Sequence, residues 1–263
     1  QIPDTYSARI LGNGWFRNAW EVTDQFNGKS MAIKTLRLER DFLKEYYELH
    51  RRDAVAMERL TPSPYVMDIY GFCGQSAMTE LAFLEKGINN LYRLSTGLKG
   101  ISTPYVLQSK LQIAAMLSLG VAHIHSVDLD NGTATFANNL PATIAHYDIN
   151  PRNVIMTPEG VPKINDFNVA EFLTWDQKTK QKCGFNSRLH EPWWRAPEEM
   201  ISYHNITADE FVEVYPKAMI SEKVDVYSLG NTLFVLLTGL EPRGKEHKKQ
   251  RLKTVSNMVA RGE

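Results

Sequence analysis

The chain has 263 residues, 43% of them hydrophobic, with 30 basic and 30 acidic side chains that cancel to zero net charge. Such a composition is that of a globular protein with room for one large domain or two lobes, and it supplies no bulk field for nucleic acid or an anionic membrane. Its two cysteines, Cys73 and Cys183, are far apart, which excludes a disulfide framework and points to a reducing, cytoplasmic compartment.

Residues 6–36 read as three strands joined by two turns. Arg9-Ile10-Leu11 and Ala19-Trp20-Glu21-Val22 flank a turn holding Gly12 and Gly14, and Asn27-Gly28 centres the next. Met31-Ala32-Ile33-Lys34 forms the third strand and puts an ammonium on a half-buried surface, where it needs an anionic partner. Residues 40–60 are helical, with Phe42, Tyr46, Leu49, Val55, Met57 and Leu60 as the apolar face. Pro62 and Pro64 end that helix. Strands at 66–72 and 78–83 close a small, mainly β unit.

Beyond it, Ser102 or Thr103 caps a helix with Pro104 in its first turn. Leu107, Leu111, Ala114, Leu117, Val121 and Ile124 recur along it at helical spacing. Residues 128–141 are polar and read as a surface insertion. Val154-Ile155-Met156 and Val161-Pro162-Lys163-Ile164 then form a hairpin around Pro158-Glu159-Gly160. A hairpin brings the residues before its first strand close to those after its second, so Asp148, Asn153 and Asp166 should converge. One carboxylate can take a proton from a hydroxyl while the Asn and the other carboxylate hold a hard cation through oxygen. Residues 169–194 lack periodicity, and a loop of that length is usually functional. The run Leu229–Leu240 is broken by Gly230, Asn231, Thr232, Thr238 and Gly239, so it reads as a core helix too short and mixed to span a bilayer. A last helix is expected near 249–261. The seven histidines show no metal-ligand spacing.

The stretch His146-Tyr147-Asp148-Ile149-Asn150-Pro151-Arg152-Asn153, with Asn165-Asp166-Phe167-Asn168, resembles the catalytic and metal-binding loops of eukaryotic protein kinases. Leu11-Gly12-Asn13-Gly14 resembles the start of their glycine-rich loop, and Met31-Ala32-Ile33-Lys34 their phosphate-binding strand. Ala196-Pro197-Glu198 and Asp225-Val226-Tyr227-Ser228-Leu229-Gly230 resemble the end of the activation segment and the next buried helix. These motifs stand in the family's order and cover nearly the whole chain.

The resemblance implies an α+β fold of two lobes: residues 1–84 as a small β-rich nucleotide-binding lobe and 85–263 as a larger, mostly helical catalytic lobe. It implies ATP and magnesium as cofactors and a protein as substrate. Several more helices follow in the family, so the large lobe is expected to be C-terminally incomplete, with Glu198 lacking the arginine that pairs there. By the same resemblance Asp148 is the base, Lys34 binds phosphate, and Asn153 and Asp166 hold the metal. Lys34 would pair with Asp53, with Glu48, or no partner, as the alternative. Gly12 and Gly14 would admit the phosphates. Leu11, Ala19, Ala32 and Ile155 would sandwich the adenine, with Thr79 behind it. Thr79-Glu80-Leu81-Ala82 would join the lobes, its backbone at Glu80 and Ala82 pairing with the adenine edge. His146 reads as a structural residue of the loop.

Five positions depart from the family pattern. Arg17 stands at its third glycine, Tyr147 at the arginine before the base, and Asn150 at the lysine of Ser/Thr kinases. Glu191 stands at their threonine, and Asn168 follows Asp166-Phe167 where a glycine is usual. Trp193-Trp194-Arg195 resembles tyrosine-kinase-like sequences, whereas Ile149-Asn150-Pro151 resembles a Ser/Thr loop. The acceptor is therefore a Ser/Thr or, less favoured, a Tyr hydroxyl. The departures leave a second reading open, a pseudokinase that binds nucleotide or partners without transfer.

Overall fold

The structure, a computed structural model, describes residues 8–41, 43–81, 89–127, 142–179, 181–186, 192–200, 220–243 and 252–262. Its N-terminal part is a five-stranded antiparallel sheet. Strands β1 (Arg9–Asn13), β2 (Arg17–Thr23), β3 (Ser30–Leu36), β4 (Ile69–Cys73) and β5 (Ser76–Glu80) lie in the order β1-β2-β3-β5-β4. Helix α1 (Lys44–Leu60) covers this sheet with His50, Asp53, Ala54, Met57 and Leu60 turned inward. That spacing is the apolar stripe of a packed helix with one charged intruder, Asp53.

The C-terminal part is built from helices. Asn90 caps α2 (Leu91–Gly97) by accepting from the Arg93 amide at 3.0 Å, and Thr103 caps α3 (Pro104–Ser126) by accepting from the Val106 amide at 3.3 Å. Helix α3 buries Ile113, Leu117, Val121 and Ile124. At Gly120 an added Cβ would lie 3.0 Å from Ile164 and 3.1 Å from Tyr65, so the missing side chain sets how closely α3 approaches the hairpin. That hairpin is β7 (Val154–Met156) with β8 (Pro162–Ile164); short pairs β6 (Ile144–Ala145) with β9 (Glu171–Phe172) and β10 (Trp175–Asp176) with β11 (Gln181–Lys182) surround it. Helix α4 (Pro197–Met200) precedes α5 (Lys223–Thr238), and α6 (Leu252–Ala260) is the last described.

One apolar core runs from α1 and β4–β5 through α2, α3 and the hairpin to Phe167 and Leu236. Lys110 is buried on α3, and its ammonium donates to the Leu237 carbonyl at 2.9 Å, at the end of α5 where the helix dipole is negative. The result is an α+β fold, sheet first and helices after, and no described helix is long and apolar enough to cross a membrane. The expected lobe boundary at 84–85 and the insertion at 128–141 lie outside the described residues.

Candidate active site

The hairpin between β7 and β8 places the loops as its geometry demands. The Asn165 amide donates to the Asn153 carbonyl at 2.9 Å, bringing the stretch after β8 against the one before β7. Asn153 Nδ2 donates to Asp148 Oδ2 at 2.8 Å and to the Asp148 carbonyl at 3.0 Å. The Asp148 side chain is 26% exposed, so its carboxylate faces open space while its loop is held from behind. Asp166 has φ 71°, and Tyr147, before the candidate base, has φ 64°. A left-handed backbone at residues with side chains costs free energy and persists only where the surroundings fix it.

Asp225 on α5 does that fixing at Tyr147. It is 1% exposed and accepts the His146 amide at 2.7 Å, the Tyr147 amide at 2.8 Å and His125 Nε2 at 3.0 Å. His146 is fully buried, donates from Nε2 to the Asn165 carbonyl at 3.2 Å and accepts the Asp148 amide at Nδ1. It is a structural brace, as its sequence context suggests. Asn150 also works on the backbone: its Nδ2 donates to the Asp148 carbonyl at 3.1 Å and its Oδ1 accepts the Arg152 amide.

A cavity of about 340 Å³ opens between the turn after β1 and the stretch after β8, lined by Gly12, Gly14, Arg17, Ala19, Lys34 and Asp166 among others. Lys34 Nζ donates to Asn165 Oδ1 at 2.9 Å and lies 3.9 Å from Asp53 Oδ2. Of the two partners open in the sequence, Asp53 is the one that lies beside Lys34; Glu48 pairs instead with Arg51 at 2.9 Å. The nearer cation to Asp53 is Arg17, whose guanidinium turns inward and bonds the same oxygen. Asp53 Oδ1 accepts the Phe167 amide at 2.8 Å.

These charges alter one another. Burial pushes the Lys34 ammonium down, more than the Asp53 carboxylate raises it. Burial also works to raise Asp53, but Lys34 and Arg17 outweigh it and hold that carboxyl well below the usual carboxylate range. Withdrawal from water and the nearby Asp53 charge push Asp166 up.

Thr79 and Glu80 are in β5, within the strand expected over 78–83, and pair with Ala32 and Met31. The Glu80 amide is committed to the Asp68 carbonyl, and its carboxylate to Lys163 at 2.6 Å. Thr79 is fully buried and donates to the Glu80 carbonyl. Gly14 spends its amide on the Arg17 carbonyl at 2.8 Å, closing the turn, so only Gly12 has open space where a Cβ would stand. Leu11, Ala32 and Ile155 lie on β1, β3 and β7. Ala82 and Glu191 are outside the described residues. Glu198, expected to lack its paired arginine, is exposed; the buried acid is its neighbour Glu199, which accepts the Ala196 amide at 2.8 Å.

Sequence reasoning missed Arg195. It is 5% exposed and donates from Nη2 to Asp148 Oδ1 at 2.6 Å. The residue before Ala196 was read only for its likeness to tyrosine-kinase-like sequences, and no spacing rule places it on a base so far away in the chain.

The arrangement offers a part-exposed carboxylate with an amide bonded to it, and a lysine and a second carboxylate in one cavity. The protein kinase domain family model matches residues 6–261. The chain is 24% identical over 247 residues to serine/threonine-protein kinase tousled-like 1-B of Danio rerio, covering 92% of this chain and 29% of that protein. It is 25% identical over 247 residues to serine/threonine-protein kinase tousled-like 1 of Mus musculus, with the same coverage. With serine/threonine-protein kinase PrkC of Bacillus subtilis it shares 24% identity over 236 residues, 89% of this chain and 30% of that protein. The chain thus spans under a third of the length of these curated relatives, and in all of them the match covers most of this chain. On the family match across sheet, cleft and helices, the chain belongs to the protein kinase domain family.

Proposed function

We propose that this domain transfers the γ-phosphoryl group of ATP to a Ser or Thr hydroxyl of a protein. The observation that carries this reading is Asp148: its carboxylate is oriented by Asn153 and 26% exposed, and its charge is felt at Asp166, which lines the cavity with Lys34. The names of the relatives, serine/threonine-protein kinases, support the Ser/Thr acceptor.

In the proposed reaction the acceptor oxygen forms its bond to the γ-phosphorus. The bond from that phosphorus to the bridging oxygen breaks, and ADP leaves with the electron pair. The hydroxyl proton passes to Asp148. Lys34 binds phosphate oxygens, Gly12 leaves the backbone open to them, and the strands bearing Leu11, Ala19, Ala32 and Ile155 flank the base.

The donor set fits magnesium: the Asp166 carboxylate takes no hydrogen bond among the described residues, and Asn153, its Nδ2 given to Asp148, has Oδ1 to offer. When bound there, magnesium would neutralise charge developing on the phosphates. Cys73 and Cys183 are both free and exposed, which supports a reducing, cytoplasmic setting.

A second reading, a nucleotide-binding pseudokinase, is favoured by one observation: Arg17 occupies the acid of α1 that the resemblance gives to Lys34. Transfer of labelled phosphate from ATP to a degenerate Ser/Thr peptide library decides between them. Asp148→Asn should abolish transfer and leave ATP binding intact, because the carboxylate acts mainly in the reacting state. Equal rates in wild type and variant remove the enzyme reading.

A further inference from the structure

Asp148 meets a full positive charge from outside its own loop. Arg195 reaches back from just before Ala196, and its Nη2 donates to Asp148 Oδ1 at 2.6 Å. Its Nη1 donates to the Tyr147 carbonyl, and the guanidinium lies 5.3 Å from the centroid of the Tyr147 ring. Nη1 is also 3.7 Å from Glu199 Oε2. Within the loop, Asn150 reaches the Asp148 carbonyl and not its carboxylate.

We infer that Arg195 is the positioning residue for Asp148 in phosphoryl transfer; this rests on the kinase reading above. Asn153 holds Oδ2 and Arg195 holds Oδ1, so the carboxylate plane cannot turn about its Cβ–Cγ bond. The oxygen lone pairs left over accept the acceptor hydroxyl. As the new O–P bond forms and ADP leaves with its electron pair, the hydroxyl proton arrives at a carboxylate already aimed. Charge-assisted bonds to a planar guanidinium give direction as well as attraction, which a flexible ammonium supplies less well. Arginine also suits the place because it serves carboxylate, carbonyl and aromatic ring at once.

The same pairing ties the base to the end of the 169–194 stretch. That end is itself pinned: Arg243 donates to the Pro192 carbonyl at 2.9 Å and the Trp193 carbonyl at 2.7 Å, and Ser228 to the Trp194 carbonyl at 2.8 Å. A shift of this backbone therefore moves the cation on which Asp148 depends.

The test is steady-state transfer by the full protein from labelled ATP to the degenerate Ser/Thr peptide library, comparing Arg195→Lys and Arg195→Met. Both variants keep a long apolar stem over Tyr147, and only lysine keeps the charge. Arg195→Met should lower kcat at least about tenfold with KM for ATP changed less than about twofold, and Arg195→Lys should keep several times more kcat than Met. Should the Met variant not fold, Arg195→Gln, which keeps N–H donors without charge, should show the same loss. Equal losses in the Lys and Met variants, or full activity in Met, would overturn the positioning role alone. Wild type no faster than Asp148→Asn would overturn the transfer reading and the positioning role with it.

Discussion

Asp53 on α1 is bonded by Arg17 and stands 3.9 Å from Lys34. One fully buried carboxylate thus serves two cations, and its second oxygen accepts the Phe167 amide. Strands β2 and β3, helix α1 and the loop after β8 all meet on this side chain. Lys34 also donates to Asn165 and lines the cavity.

Removing Asp53 should therefore cost more than removing Arg17. Asp53→Ala takes from two buried cations the carboxylate nearest to both, a loss of about 3–5 kcal/mol. Arg17→Met leaves Asp53 with Lys34, and the cost should be about 1–3 kcal/mol. Urea unfolding of the two variants checks the order, and equal costs would contradict the shared-carboxylate geometry.

Magnesium and ATP together should raise the melting temperature, because a ligand that binds only the native state stabilises it, by about 2.7 kcal/mol at a hundred times Kd. Asp166→Asn should lose most of the magnesium-dependent part. An unchanged melting curve at millimolar ATP would rule out a nucleotide site here.

Stability should also vary with pH through Glu199. Burial raises its pKa from 4.5 to about 7, against the pull of Arg195. The folded state then binds more protons than the unfolded one between those values, so this contribution is full below pH 4.5 and is lost as pH rises through 7. Glu199→Gln should remove it, gaining on wild type by up to about 3 kcal/mol across that window. His50 acts in the opposite sense: burial and Arg17 lower its pKa from 6.5 to about 4, so its contribution is lost as pH falls through that range. Parallel pH–stability curves for wild type and Glu199→Gln would show that the buried acid does not titrate as described.

Phosphorylation of the 169–194 stretch should matter little. Tyr147 is 1% exposed and packs on the Phe185 ring, and Arg195 beside it is committed to Asp148. Lys182 is engaged by Glu222. Thr174 and Thr179 are both exposed acceptors, whereas Ser187 lies outside the described residues. Replacing all three hydroxyl residues with Ala should change activity only a few-fold, roughly 1 kcal/mol or less in barrier. A hundred-fold loss, restored by acidic replacements, would reveal a phosphate-docking switch.

Strands β1–β3, helices α1 and α3 and the β7–β8 hairpin are legible in the sequence because each carries a period or a turn signal local to itself. Helix α2 is not: at seven residues it has too little length for a periodic stripe, and its cap at Asn90 is the only local sign of it. The convergence of Asp148, Asn153 and Asp166 follows from hairpin geometry alone. What escapes is the direction of long side chains. Arg17 is visible as an odd residue in a glycine turn, but nothing in the sequence says that it points at α1 and not at a ligand. Glu198 and Glu199 are chemically alike, and which of them turns inward is decided by how α4 packs.

Asp225 has a consequence for how this loop can vary. It grips the backbone amides of His146 and Tyr147, not their side chains, and it does so from the buried face of α5. The path of the loop is therefore written into α5. With the backbone held from α5, a tyrosine can stand at position 147, its ring packed on Phe185 and under the Arg195 guanidinium, while the next residue keeps its carboxylate part-exposed.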